Sequence, residues 1–86
     1  MIALSKHAQE QAVRRGLSEE IVLAVARVPE QRLALRSGRE IRQSRVAMPT
    51  GGTLYLVRVV VDAGPDAETV VTVYRTTKIE KYWSKA

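Results

Sequence analysis

The hydrophobic period of this chain changes once, around Pro29. Before that point apolar residues recur at helical spacing; from residue 31 onward they alternate with polar ones. Helices followed by short strands joined by tight turns can bury both apolar surfaces by laying the helices across one sheet face. The change of period therefore predicts an α+β fold, with two N-terminal helices packed on one face of an antiparallel sheet of about four strands. At 86 residues the chain fits one domain, 1–86.

Residues 5–15 contain neither Pro nor Gly, and Ser5 is a good N-cap, so this stretch predicts a helix. Leu4, Ala8, Ala12 and the stem of Arg15 fall on one flank, while His7, Gln11 and Arg14 form a second stripe beside it. Gly16 is placed to end the helix as a C′ residue, with Arg14 and Arg15 against its negative end. Ser18 caps a second helix whose first turn carries Glu19 and Glu20 and whose body, Ile21 to Ala26, is apolar nearly all round. Pro29 stops it.

The strand-like segments are Leu33 and Leu35 with their polar neighbours, Arg39 to Ala47, Leu54 to Asp62, and Glu68 to Thr76. Ser37-Gly38, Met48 to Gly52 and Ala63 to Ala67 read as the turns between them. On the last strand Val71 and Val73 point one way, and Thr72, Tyr74 and Thr76 the other. Lys78 to Lys85 either closes the sheet edge or forms a final turn, and Trp83 anchors the C-terminus on the core. Tyr55 and Tyr82 read as packing residues.

Fourteen Lys and Arg against nine Asp and Glu give a net charge of +5, which favours a polyanionic partner such as RNA. The absence of Cys excludes disulfides, thiolate metal sites and a cysteine nucleophile, and fits a cytoplasmic location. The single His excludes a multi-histidine metal site. No Gly-rich phosphate loop, metal-ligand cluster or acid/base carboxylate pair stands out, so neither a metal nor a cofactor is expected. The start, Met1 to Leu4, meets Lys6 and His7 at once, unlike a secretory segment, and the apolar run Ile21–Ala26 is too short for a bilayer. No membrane association is expected.

Arg32, Arg36, Arg39, Arg42 and Arg45 crowd the middle of the chain against Glu40 alone. They read either as a solvated, guarded hairpin or as a phosphate-binding surface, for which arginine forks are well shaped. His7 is either a half-exposed helix residue or a general acid or base. Arg14 and Arg15 either compensate the helix dipole or hold a phosphate. Thr72 and Tyr74, with Arg75 beside them, form a hydroxyl-bearing stripe on a strand otherwise rich in valine.

Three segments, in order, resemble the family labelled domain of unknown function 4258. They are Ser5-Lys6-His7-Ala8, Arg15-Gly16-Leu17-Ser18-Glu19-Glu20 and Thr72-Val73-Tyr74, so the match runs from residue 5 to about residue 76. That family is placed near the RelE and BrnT toxins, in the wider group of small metal-independent ribonuclease folds that includes barnase and colicin nuclease domains. The resemblance implies two helices against an antiparallel sheet, and RNA cleavage by attack of the 2′-hydroxyl on the adjacent phosphate. It implies His7 as the acid or base, Arg15 as a phosphate ligand, and Thr72 and Tyr74 as the sheet-borne part of the site. Many relatives carry Arg-Met one turn after the histidine, where this chain has Gln11-Ala12; Arg14 lies on the same stripe.

Three functions follow as expectations. The first is a metal-independent endoribonuclease, the toxin of a toxin–antitoxin pair, neutralised by a cognate antitoxin or immunity protein. The second is a non-catalytic nucleic-acid-binding module on the same fold, with Arg14, Arg32, Arg36, Arg39, Arg42, Arg45 and Arg75 as the phosphate contacts. The third is a protein-interaction module.

Overall fold

The computed structural model describes residues 1–49 and 51–85. Its elements run β1 (Ile2–Leu4), α1 (Lys6–Arg14), α2 (Glu19–Arg27), β2 (Gln31–Ala34), β3 (Arg39–Ala47), β4 (Leu54–Ala63), β5 (Glu68–Thr76) and α3 (Ile79–Tyr82). Thr50, within the loop expected over 48–52, lies outside the described residues.

The caps form where the side chains predict them. Ser5 Oγ accepts from Ala8 N at 3.0 Å, and Ser18 Oγ accepts from Ile21 N at 3.2 Å. Between the helices, Gly16 takes φ +65°, a left-handed turn that glycine makes without strain. Gly16 N then donates to Val13 O and Leu17 N to Ala12 O, which satisfies the last carbonyls of α1 and buries Leu17 against Ala12.

The sheet has five strands in the order β1-β5-β4-β3-β2. It is mixed, which corrects the expected antiparallel sheet of about four strands: β2 to β5 pair antiparallel as predicted, but β1 adds a fifth strand parallel to β5. Three residues are too short to display a period of two, so Leu4 read as part of the flank of α1; it pairs with Val70 instead. The stretch after residue 78 forms the four-residue helix α3, a third helix that the periodicity was too short to disclose. A bulge interrupts the pairing of β4 with β5, because Val60 faces Thr72 while Val61 faces Val70. Val71 is the extra residue, its carbonyl accepts from Ser5 Oγ at 3.3 Å, and Val70 rather than Val71 enters the core.

The core lies between the helices and one sheet face. It is built from Ala8, Ala12, Val22, Val25 and Ala26 of the helices against Val57, Val59, Val61, Val70 and Val73 of β4 and β5. The opposite face carries Gln43, Leu56, Arg58 and Tyr74, and is partly covered by α3 and the residues after it. Among the described residues no helix is long and apolar enough to cross a membrane.

Candidate functional site

Alternation along the strands sends two arginines of neighbouring strands to opposite faces. Arg42 of β3 points to the helix side and is 3% exposed; Arg58 of β4 points to the other and is 7% exposed. Arg42 is neutralised. It donates to Ala26 O at the end of α2 at 2.7 Å, to both oxygens of Glu68, and to Glu40. Glu40 also receives Arg32 at 2.6 Å. The Arg42 hydrogen bonds hold the Glu68 carboxyl below its ordinary value. Burial pushes Glu40 up, but its hydrogen bonds from Arg32 and Arg42 outweigh this and leave it lowered as well. Arg42 in turn is raised, chiefly by Glu68.

Arg58 has no such neutralisation. Strand register places Gln31, Gln43, Arg58 and Tyr74 side by side across β2, β3, β4 and β5. Their side chains form one hydrogen-bonded row. Arg58 Nε donates to Gln43 Oε1 at 2.8 Å, Arg58 Nη1 donates to the Tyr74 hydroxyl, and Gln43 Nε2 donates to Gln31 Oε1 at 2.8 Å. The guanidinium lies 4.5 Å from the centre of the Tyr82 ring and 5.3 Å from that of Tyr74. Every partner of this buried cation among the described residues is neutral, and no hydrogen bond engages Nη2. Aromatic faces return about 2 kcal/mol to a desolvated cation, whereas removing an ion from water costs several kcal/mol in a real protein. Among the described residues no fully buried side-chain nitrogen or oxygen lacks a hydrogen-bond partner, so the unbonded Nη2 keeps access to solvent. Tyr74 accepts from Arg58 and so keeps its own hydroxyl proton for a further acceptor.

The C-terminal residues frame this row. Tyr82 O accepts from Gln43 Nε2 at 3.1 Å, and Ser84 is held by Gln31 through its backbone O and N at 2.7 and 3.0 Å. Clefts of about 520 and 480 Å³ adjoin these residues, the second lined by Arg45, Leu54, Ile79, Glu80, Trp83 and Lys85. Arg45 stacks on Trp83 at 4.3 Å, so a cation and an aromatic ring meet here although they are far apart in sequence.

The residues singled out by sequence divide between the two faces. Thr72 and Tyr74 share the face of Arg58, Thr72 one cross-strand row away beside Val60. His7 and Arg15 stand exposed in the helix layer, which packs on the other face of β5 through Ala8 and Ala12, so they do not meet Tyr74. Of the arginines read as phosphate contacts, Arg32, Arg39, Arg42 and Arg45 are paired with Glu40, Asp62, Glu68 and Glu30. Arg45 holds Glu30 below its ordinary value by hydrogen bonding. Arg14 and Arg36 are exposed and have no ion-pair partner among the described residues, while Arg75 rests on Tyr55 on the helix side.

Arg58, Gln43 and Gln31 escaped the sequence reading, in which Tyr82 figures only as a packing residue. A signal for Arg58 was present: it is the only charge between Leu54 and Val61. It shares the parity of Tyr74 once the strands are paired, and the same pairing brings Gln43 beside it. Tyr82 had no signal, because its approach depends on how α3 folds back.

The family model described as Domain of unknown function (DUF4258) matches residues 4–75, and the chain belongs to that family. No curated protein matches the chain. No solved structure matches it either.

Proposed function

We propose that this member of the DUF4258 family is a metal-independent endoribonuclease of the RelE and BrnT toxin type, and that it engages the RNA phosphate at the Arg58–Tyr74 row. The observation that carries the proposal is the buried Arg58 guanidinium, whose partners are all neutral. A phosphodiester supplies the absent charge. As the 2′-hydroxyl attacks, negative charge grows on the non-bridging oxygens, and a fixed guanidinium stabilises that state without reorganising. The 2′-hydroxyl proton passes to solvent as the 2′,3′-cyclic phosphate forms and the P–O5′ bond breaks; the Tyr74 hydroxyl gives its proton to the departing 5′-oxygen and is reprotonated from solvent. Trp83, backed by Arg45 and near Lys85, offers a stacking surface for an unpaired base at the flank of the row. A toxin of this kind acts in the cytoplasm and is held inactive by a cognate antitoxin or immunity protein, and both belong to the same proposal.

The separation of His7 from Tyr74 favours a second reading, a non-catalytic RNA-binding or protein-interaction module that uses the same face. Incubation of total RNA with the wild-type protein, Tyr74→Phe and His7→Ala in EDTA, read on a gel, separates the two. The ribonuclease reading expects cleavage by the wild type and His7→Ala and none by Tyr74→Phe. Intact RNA in every lane refutes it in favour of the binding module.

A further inference from the structure

A second cluster, on the helix side of the sheet, is independent of the Arg58 row. Arg75 of β5 lies with its guanidinium carbon 4.3 Å from the centre of the Tyr55 ring. Its terminal nitrogens reach the α1–α2 junction, where a Cβ on Gly16 would lie 3.8 Å from Nη2. Ring stacking uses the flat face of a guanidinium, whereas its N–H groups radiate in the plane from the edge. Arg75 donates no hydrogen bond and forms no ion pair with any described residue, so this stacking leaves its whole fork of donors free.

That fork borders a cavity of about 410 Å³ lined also by Ser18, Ile21, Met48, Thr53 and Tyr55. No carboxylate lines it among the described residues. Ser18 Oγ accepts from Ile21 N and keeps its own proton to donate, and Thr53 brings a second hydroxyl. Arg14 and Arg15, both exposed, precede Gly16 at the rim. One fork satisfies a carboxylate, but a fork and two hydroxyls match the three terminal oxygens of a phosphate monoester. Ile21 and Met48 provide an apolar wall for the group that carries it.

We propose that this cavity is a binding site for a phosphate monoester, with Arg75 as its principal ligand, Ser18 and Thr53 as hydroxyl donors, and the organic part against Ile21 and Met48. The monoester comes either from a free nucleotide-sized metabolite or from the 5′-phosphorylated end of an RNA. The site does not depend on the ribonuclease reading, because no residue is shared with the Arg58 row.

The test is an amide NMR titration of the full chain with inorganic phosphate, AMP, and a 2′-O-methylated dinucleotide with or without a 5′-phosphate, each against sodium chloride at equal ionic strength. Saturable shifts at Gly16, Ser18, Thr53 and Tyr55 are expected with the phosphate ligands and not with chloride. Arg75→Gln should weaken AMP binding at Gly16, Ser18 and Thr53 at least 10-fold while keeping a folded spectrum, and Arg27→Gln, an exposed cation at the far end of α2, should leave it unchanged. Tighter binding of the 5′-phosphorylated dinucleotide than of AMP identifies an RNA end as the source, and equal binding identifies a free monoester. Shifts no larger than those with chloride, or shifts that survive Arg75→Gln, overturn the proposal.

Discussion

Arg42 and Arg58 are buried in adjacent strands of one sheet, and nearly everything else about them differs. Arg42 sits under the helices among Glu40, Glu68 and the Ala26 carbonyl, so each charge there is met within the fold. Arg58 sits on the opposite face among Gln43, Tyr74 and Tyr82, which orient it and leave its charge unmet. A buried pair can do little for net stability and still be costly to break, because the surviving partner is stranded. A buried cation with only neutral neighbours is desolvated without a charged partner in return, and on the proposed function the RNA phosphate is that partner. Burial alone does not separate structure from function. The identity of the partners does.

Removing each arginine should therefore have unequal effects on stability. Arg42→Met strands Glu68 and the Ala26 carbonyl, and should lower stability by about 3 kcal/mol in urea unfolding. A loss below about 1 kcal/mol would mean that the network is only a surface feature. The pH dependence sharpens the same point. Glu68 and Glu40 are lowered in the folded state, so their contribution is full at neutral pH. It is lost as pH falls below the ordinary glutamate value of 4.5 and through their lower folded values. The urea midpoint should fall between pH 7 and acid in the wild type, and fall less in Arg42→Met; equal falls would break the comparison. The smallest change belongs to Arg58→Met, which removes an unneutralised cation along with its ring contacts. Its stability should stay within about 1 kcal/mol of the wild type, measured in the same way.

The sequence made the helix layer legible because capping is local. Ser5, Gly16 and Ser18 act on neighbours within a few residues, and their caps formed as read. The antiparallel core of the sheet was legible for the same reason, since its turns lie between consecutive strands. β1 was not, because Ile2 to Leu4 is a strand only by virtue of β5, whose paired residues lie 66 positions away. The candidate site splits along the same line. Tyr74 and Thr72 stood out as hydroxyls on a valine strand, but the row that gives Tyr74 its partner needs the register of four strands at once. Sequence left the arginine-rich middle segment open between a guarded hairpin and a phosphate surface because its partners are distant: Glu30, Asp62 and Glu68, outside that segment, pair with Arg45, Arg39 and Arg42.

The most direct test of Arg58 as the phosphate-binding cation is fluorescence anisotropy of a single-stranded RNA whose 2′-hydroxyls are methylated to prevent cleavage. Wild type, Arg58→Gln and His7→Ala are compared at one salt concentration, since phosphate contacts are salt-dependent. Loss of a charged hydrogen bond to phosphate predicts binding weakened about 10- to 100-fold in Arg58→Gln. His7→Ala should bind like the wild type. RNA bound equally well by Arg58→Gln, with affinity lost in His7→Ala, would move the site to the helix layer and contradict the account.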